Sequence, residues 1–153
     1  MEIINRRIAV RGIVIHDNKI LLVRLKHTKV VPEWVRLSWC LPGGGLWDDE
    51  AITDGLIREM IEETGVRPVI GNLLYINQFN SNDKNHIEFF FHVKNSEDYL
   101  NPDISKSSHG LEELEEIDFK DLKSTPILPE FLTQEDVIRH IEKNEPTKIF
   151  TTI

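Results

Sequence analysis

The sequence predicts a single α+β domain, and three observations predict it. Strand-like runs come in two pairs, one helical pattern separates those pairs, and a second helical pattern follows them. The length of 153 residues suits one hydrophobic core, so residues 1–153 are expected to form one domain. An apolar content of 40% with 29% charged residues is that of an ordinary globular chain rather than a disordered one.

Residues 6–15, "RRIAVRGIVI", alternate in part and are rich in β-branched types, which predicts a strand. "HDN" then reads as a turn and "KILLVRL" (19–25) as the hairpin partner. Residues 26–37, "KHTKVVPEWVRL", are mixed and contain Pro32, so a loop is expected. "SWCLPGGG" (38–45) starts as a short strand and ends in glycines, which are expected to leave regular structure. From Glu50 to Thr64 the pattern is helical, and Gly65 stands where a left-handed C-terminal cap belongs.

Two further strands are expected at 68–79 and 86–93, joined by the polar turn "NSNDKN". Residues 99–110 have loop chemistry. "LEELEEIDFKDL" (111–122) reads equally as an acidic helix or as a loop entering a strand at "EIDF". "PEFLTQEDVIRHIEKN" (129–144) begins with proline and carries apolar residues at helical spacing, which predicts a terminal helix.

Several function classes are disfavoured by composition. A formal charge of −8 argues against a broad nucleic-acid surface, which relies on clustered Lys and Arg. It leaves room for a small phosphorylated ligand, because metal ions can stand between an acidic site and an anion. No stretch approaches eighteen apolar residues and the N-terminus lacks a secretory pattern, so no membrane partner and a cytoplasmic location are expected. Cys40 is the one cysteine, without a disulfide partner or zinc-site spacing, and the six histidines show no ligand spacing either.

The segment "REMIEETG" (58–65) poses a physical problem. At 3.6 residues per turn, Glu59, Glu62 and Glu63 fall within an arc of about 100°. Like charges so placed destabilise a helix by a few tenths of a kcal/mol per pair. Ile52, Leu56, Ile57, Met60 and Ile61 occupy the adjoining face, so the helix is expected to have an apolar face with an acidic edge. A hard divalent cation requires such converging carboxylates, and it would turn the repulsion into coordination. Arg58 is within i+4 reach of Glu62 and could hold that carboxylate. Gly43, Gly44 and Gly45 allow close backbone approach to a ligand and leave carbonyls free.

Together these residues resemble the Nudix box. Gly44, Glu50, Arg58, Glu59, Met60, Glu62, Glu63, Gly65 and Val66 fill every specified position of its pattern. By average residue usage, a chance match has odds on the order of one in ten million. The box spans 23 residues, and the order of elements around it is similar to the superfamily plan as well. Two neighbours depart from common usage: Asp49 stands where glycine is frequent, and Gly55 where alanine is frequent. The EF-hand spacing is absent, and the glycines lack the G-K-[ST] of a P-loop.

The resemblance implies a Nudix fold, an α/β/α sandwich around a mixed sheet with the box as loop–helix–loop. It implies hydrolysis of a nucleoside diphosphate linked to a further group X, with Mg²⁺ or Mn²⁺ as cofactor. By position Glu59, Glu62, Glu63 and the Gly44 carbonyl would be metal ligands, with Glu59 or Glu62 doubling as base. Arg58 and Glu50 would be orienting residues, or a plain structural salt bridge. A glutamate beyond the box often serves as base or extra ligand, which points to Glu113, with Glu112 and Glu116 as competitors; a solvated acidic loop is the alternative.

For substrate contacts, Arg24, Lys26, Lys29 and Arg36 form a cationic cluster ahead of the box, either facing phosphates or simply solvated. Trp34, Trp39 and Phe79 could stack on a base, although strand aromatics are more often core. Within the superfamily, Ser81 occupies the place where ADP-ribose-type members tend to have proline. The chain looks more like the members acting on nucleoside triphosphates or oxidised nucleotides. A non-catalytic nucleotide sensor, an ADP-ribose or nucleotide-sugar hydrolase and an RNA-end pyrophosphohydrolase are the alternatives. Homodimers are frequent in the superfamily.

Overall fold

The computed structural model describes residues 5–26, 33, 37–81 and 83–153. The first strand-like run becomes β1 (Arg6–Ile13) and, after a break at Val14, β2 (Ile15–His16), which turns back into β3 (Lys19–Leu25). The turn is built by Asp17 and Asn18 at φ 48° and 60°, as a two-residue hairpin of type I′ requires. Two short strands follow, β4 (Trp39–Cys40) and β5 (Gly43–Gly45), and then helix α1 (Ile52–Thr64). Gly65 caps α1 at φ 75° and donates its N–H to the Ile61 carbonyl, as expected.

The long hairpin is β6 (Ile70–Ser81) and β7 (Lys84–Val93). The acidic stretch resolves into one turn of helix, α2 (Gly110–Glu113), running straight into β8 (Leu114–Lys120). β9 (Ile127–Leu128) precedes two short helices, α3 (Phe131–Gln134) and α4 (Val137–Glu142). The single terminal helix expected over 129–144 is therefore broken. Glu135 is extended, and the Asp136 carboxylate accepts the Arg139 N–H at 3.0 Å to start a new helix. β10 (Lys148–Thr152), which the sequence reading did not anticipate, ends the described structure.

These strands form two five-stranded sheets joined by the continuous run from β1 into β2. The first has the order β10-β6-β7-β1-β5 and mixes parallel β10–β6 and β1–β7 pairs with antiparallel β6–β7 and β1–β5 pairs. The second runs β2-β3-β4-β9, with β8 also paired to β3. Alternation along the strands separates two cores. Ile20, Leu22, Tyr75 and Phe90 pack with Phe131, Leu132, Val137 and Ile141 of α3 and α4. Val10, Val14, Leu21 and Val93 pack with Leu56 and Met60 of α1. Helices thus cover both faces, which is the α/β/α layering of a Nudix fold. Among the described residues no helix is long and apolar enough to cross a membrane.

The glycine run differs from expectation. It is a strand, pairing with β1 at Val10↔Gly44 and Arg11↔Gly43. Gly43 lies at φ 137°, and a Cβ there would collide with the Val10 carbonyl oxygen and stand 2.9 Å from the Arg11 Cα. A Cβ at Gly45 would make only an ordinary contact, with the Arg7 guanidinium at 3.6 Å. Gly43→Ala should therefore cost at least roughly 1–3 kcal/mol in urea denaturation, and Gly45→Ala should stay within about 0.5–1 kcal/mol of the parent. Equal effects would mean that the close β1–β5 approach is not fixed.

Candidate functional site

The box helix meets β5 along the acidic edge. α1 begins at Ile52 rather than Glu50. Glu50 is held out of the helix, its carboxylate accepting the Trp47 N–H at 3.1 Å and two guanidinium bonds from Arg58. The buried face of α1 is Gly55, Leu56, Met60, Glu63 and Thr64, while Ile52 and Ile61 are exposed. The apolar stripe is thus narrower than the residue pattern implies, and a carboxylate shares it. Gly55 has a structural reason: a Cβ there would collide with the Leu46 side chain and lie 3.0 Å from Glu50 Oε2.

Arg58 organises this edge. Its Nε and Nη2 donate to the two Glu50 oxygens at 2.7 and 2.9 Å. Its Nη1 donates to Glu59 at 2.7 Å and Glu62 at 3.2 Å, and Nη2 also reaches the Gly45 carbonyl at 3.1 Å. The indole of Trp47 lies against the guanidinium, 4.2 Å from its carbon to the ring centre. The Glu50 hydrogen bonds, with burial opposing them, hold Arg58 well above its ordinary range. The same hydrogen bond keeps the Glu50 carboxyl below its ordinary value.

Glu63 is only 4% exposed and accepts the Gly43 N–H at 2.9 Å. Burial pushes its carboxyl up to about 8; the Gly43 bond and Arg11 pull it down, and Glu59 and Glu113 push it further up. Burial also raises Glu59, with Glu62 adding to the rise and Arg58 opposing it. Gly44 lies beneath Glu59, and a Cβ there would sit 2.5 Å from its Oε2.

The segment before β8 packs on the C-terminal end of α1. The His109 N–H donates to the Glu62 carbonyl at 3.0 Å, and His109 Nδ1 is 3.4 Å from Glu62 Oε2. Glu113 follows at the end of α2, exposed, with its charge felt by Glu63. Glu112 is also exposed, whereas Glu116 is taken by Arg24 at 2.7 Å.

As they lie, no three His, Cys, Asp or Glu side chains among the described residues are placed to hold a metal ion. Arg58 draws Glu59 and Glu62, and the Gly43 N–H draws Glu63. The donor set nevertheless fits a hard divalent cation. It is all oxygen, and it is crowded enough that its members raise one another's proton affinity, which a dication would reverse.

Beside this edge, on the sheet face opposite α1, a cleft of about 720 Å³ opens between β6, β7 and β10 and the β9–α3 segment. Phe79 lines it, as do Arg11, Asn77 and Glu88. Trp39 does not: it is 7% exposed in the core, with Arg24 and Lys120 over its ring at 5.4 and 4.9 Å. Arg24 is paired with Glu115 and Glu116 instead of facing the cleft. Trp34, Lys29 and Arg36 lie outside the described residues.

Two cations escaped the sequence reading. Arg11 donates to the Gly43 carbonyl at 3.0 Å and the Leu41 carbonyl at 3.3 Å, and it lies 3.5 Å from Glu88. Arg7, on the same face of β1, stands beside Gly45 within electrostatic reach of Glu59; burial and then Arg11 lower its proton affinity. Their i, i+4 spacing within a strand was the available signal, since it puts both on one face.

The NUDIX domain family model matches residues 5–140. The uncharacterized Nudix hydrolase YvcI of Bacillus subtilis strain 168 is 30% identical over 115 residues, which cover 74% of this chain and 66% of that protein. An ADP-ribose pyrophosphatase of Methanocaldococcus jannaschii is 37% identical over 67 residues, 44% of this chain and 37% of that protein. The matches thus span less than two thirds of either relative's length. Among solved structures, the MutT protein from Methanosarcina mazei Go1 superposes with a TM-score of 0.69 at 22% identity, covering 95% of this chain and 100% of that one, a likeness of fold. With the box residues gathered at one edge and the family matched over most of its length, the chain belongs to the Nudix family.

Proposed function

We propose that the protein hydrolyses the pyrophosphate linkage of a nucleoside diphosphate joined to a further group, with a nucleoside triphosphate or oxidised nucleotide as the leading substrate. The observation that supports this reading is the intact carboxylate edge, with Glu59 and Glu62 clasped by Arg58 and Glu63 held by the Gly43 N–H, next to a cleft of nucleotide size. Hydrolases of this family use divalent metal ions, and here Mg²⁺ or Mn²⁺ is the expected cofactor. The relative named ADP-ribose pyrophosphatase makes ADP-ribose the main alternative substrate.

In this reading Glu59, Glu62 and Glu63, with the Gly44 carbonyl, hold the metal. When bound, it neutralises phosphate oxygens and lowers the proton affinity of the attacking water. Glu50 keeps Arg58 in place, and Arg58 orients Glu59 and Glu62. Arg7 and Arg11 meet the phosphates from β1. Glu113, exposed and near Glu63, accepts the proton of the attacking water, with Glu59 as the competing base. The nucleoside portion occupies the cleft.

Turnover of a nucleotide panel with Mg²⁺ or Mn²⁺ tests this. Canonical and oxidised triphosphates, ADP-ribose, dinucleoside polyphosphates and nucleotide sugars would be compared by phosphate release. Metal-dependent turnover should fall by at least about 100-fold in Glu62→Gln. Tight nucleotide binding without turnover of any member would replace the hydrolase by a sensor module. Arg7→Ala should raise KM roughly tenfold, more than it lowers kcat, through loss of a charge-assisted phosphate contact.

Stability should report the crowded carboxylates as well. An unfolded Glu63 loses its proton near about 4.3, whereas the folded carboxyl retains it up to about 8. The folded state therefore binds the extra proton, and its advantage is complete below the lower value and lost as pH rises to the upper one. The metal-free thermal midpoint should fall between about pH 5 and 8 by an amount reflecting a few kcal/mol. Glu63→Gln should flatten that profile, and an unchanged slope in the variant would assign the pH dependence to other groups.

A further inference from the structure

Residues 104–113 close on the C-terminal end of α1 with little tolerance. A Cβ on Gly65 would stand 2.8 Å from the Lys106 carbonyl oxygen. A Cβ on Gly110 would collide with the Ser107 hydroxyl and lie 2.5 Å from the Ile104 carbonyl oxygen and 3.2 Å from that of Glu63. Such close backbone approaches leave the segment one seat on the helix. There the His109 N–H donates to the Glu62 carbonyl at 3.0 Å, in the last turn of α1, where carbonyls have no partner within the helix. The His109 carbonyl in turn accepts the N–H groups of Glu112 and Glu113 at 3.1 and 3.0 Å. The Lys26 N–H donates to the Glu113 carbonyl at 2.9 Å, which pins α2 to the end of β3. One residue thereby joins Glu62 of the carboxylate edge to the turn that carries Glu113.

The imidazole is placed by these backbone bonds rather than by packing of its own. Its side chain is 44% exposed and makes no capping bond to α2. Its Nδ1 stands 3.4 Å from Glu62 Oε2, the same oxygen that Arg58 Nη1 reaches at 3.2 Å. Arg58 approaches from one turn before Glu62 and His109 from the helix end, so the carboxylate is flanked along the helix axis. Arg58 is a divided holder: it also serves both Glu50 oxygens, Glu59 and the Gly45 carbonyl, and its bond to Glu62 is the longest of these. Both contacts fall on Oε2, which leaves Oε1 for a cation.

We propose that His109 is a positioning residue of the metal site, its Nδ1–H holding the Glu62 carboxylate in the direction that a divalent cation needs. The proposal rests on the metal-dependent reading above. Donors behind a ligating carboxylate fix its orientation, and their loss lowers metal affinity about 10–100-fold. A neutral imidazole suffices, because its Nδ1–H tautomer is a donor and the carboxylate selects that tautomer. No proton has to leave the ring. The nitrogen that matters is the one nearer the backbone, and an asparagine amide nitrogen reaches nearly the same place. A glutamine amide nitrogen extends past it.

Titration of the nucleotide-free full chain with Mn²⁺, following the free ion by electron paramagnetic resonance, tests the assignment without requiring turnover. His109→Ala should bind Mn²⁺ at least about tenfold more weakly. Its metal-free thermal transition should match the parent's, since the imidazole fills no core and caps no helix. His109→Asn should recover most of the affinity, and His109→Gln should not. Raising Mn²⁺ should restore turnover in His109→Ala with nucleotide KM little changed, a rescue that a loosened fold would not show. Unchanged Mn²⁺ affinity in His109→Ala, equal losses in the Ala and Asn variants, or a thermal transition that falls in step with affinity would overturn the proposal. Mn²⁺ binding that is lost in Glu62→Gln but indifferent to His109 would leave the hydrolase reading standing without it. Weaker binding in His109→Ala, with no nucleotide turned over by the parent, would keep the positioning role and sink the hydrolase reading. A parent that binds no Mn²⁺ would overturn both.

Discussion

The arrangement of the box depends on one guanidinium. Arg58 binds the loop residue Glu50, the helix residues Glu59 and Glu62, and the β5 carbonyl of Gly45. Without it Glu59 and Glu62 would face one another on the helix edge, and Glu50 would lose both of its guanidinium bonds. A planar group with five donors can satisfy acceptors from three segments at once, which a lysine ammonium could not do with the same geometry. The Trp47 ring on its face further limits the positions it can take. One positive charge shared among Glu50, Glu59 and Glu62 fixes these carboxylates in direction without matching their combined charge.

What the residues alone disclosed was chiefly local. The hairpin turn at Asp17–Asn18 and the helix stop at Gly65 rest on backbone conformations that few residue types adopt, so composition announces them. The clustering of Glu59, Glu62 and Glu63 follows from helical spacing in the same way. The less legible features depend on distant partners. Gly43–Gly45 reads as irregular, yet becomes a strand because the Val10 carbonyl must pass closer than any Cβ allows. β8 was ambiguous because its acidic residues suit a helix equally well, and pairing with β3 decided the matter.

The candidate site divides along the same line. Box residues were readable because one helix brings them together. The cleft was not, since Asn77, Glu88 and Arg11 belong to three strands whose pairing no short pattern reveals. Trp39 shows the converse: an aromatic ahead of the glycines looks available for stacking, but β4 is an inner strand of the second sheet and its indole fills the core. Asp136 offered a local signal for the break between α3 and α4, as an N-cap inside an otherwise helical pattern.

The parallel seat of β10 beside β6 has a consequence for the path of folding. Thr147 hydroxyl and Leu73 carbonyl, which meet at the start of this pairing, are 74 residues apart in sequence. Contacts of such separation require a large loop to close before they return any stabilisation, so they form slowly compared with helices and hairpins. The box helix and the β6–β7 hairpin need only near neighbours and can precede them. A molecule in which α1 and the β6–β7 hairpin are already formed would therefore still lack the wall of the cleft that β10 supplies.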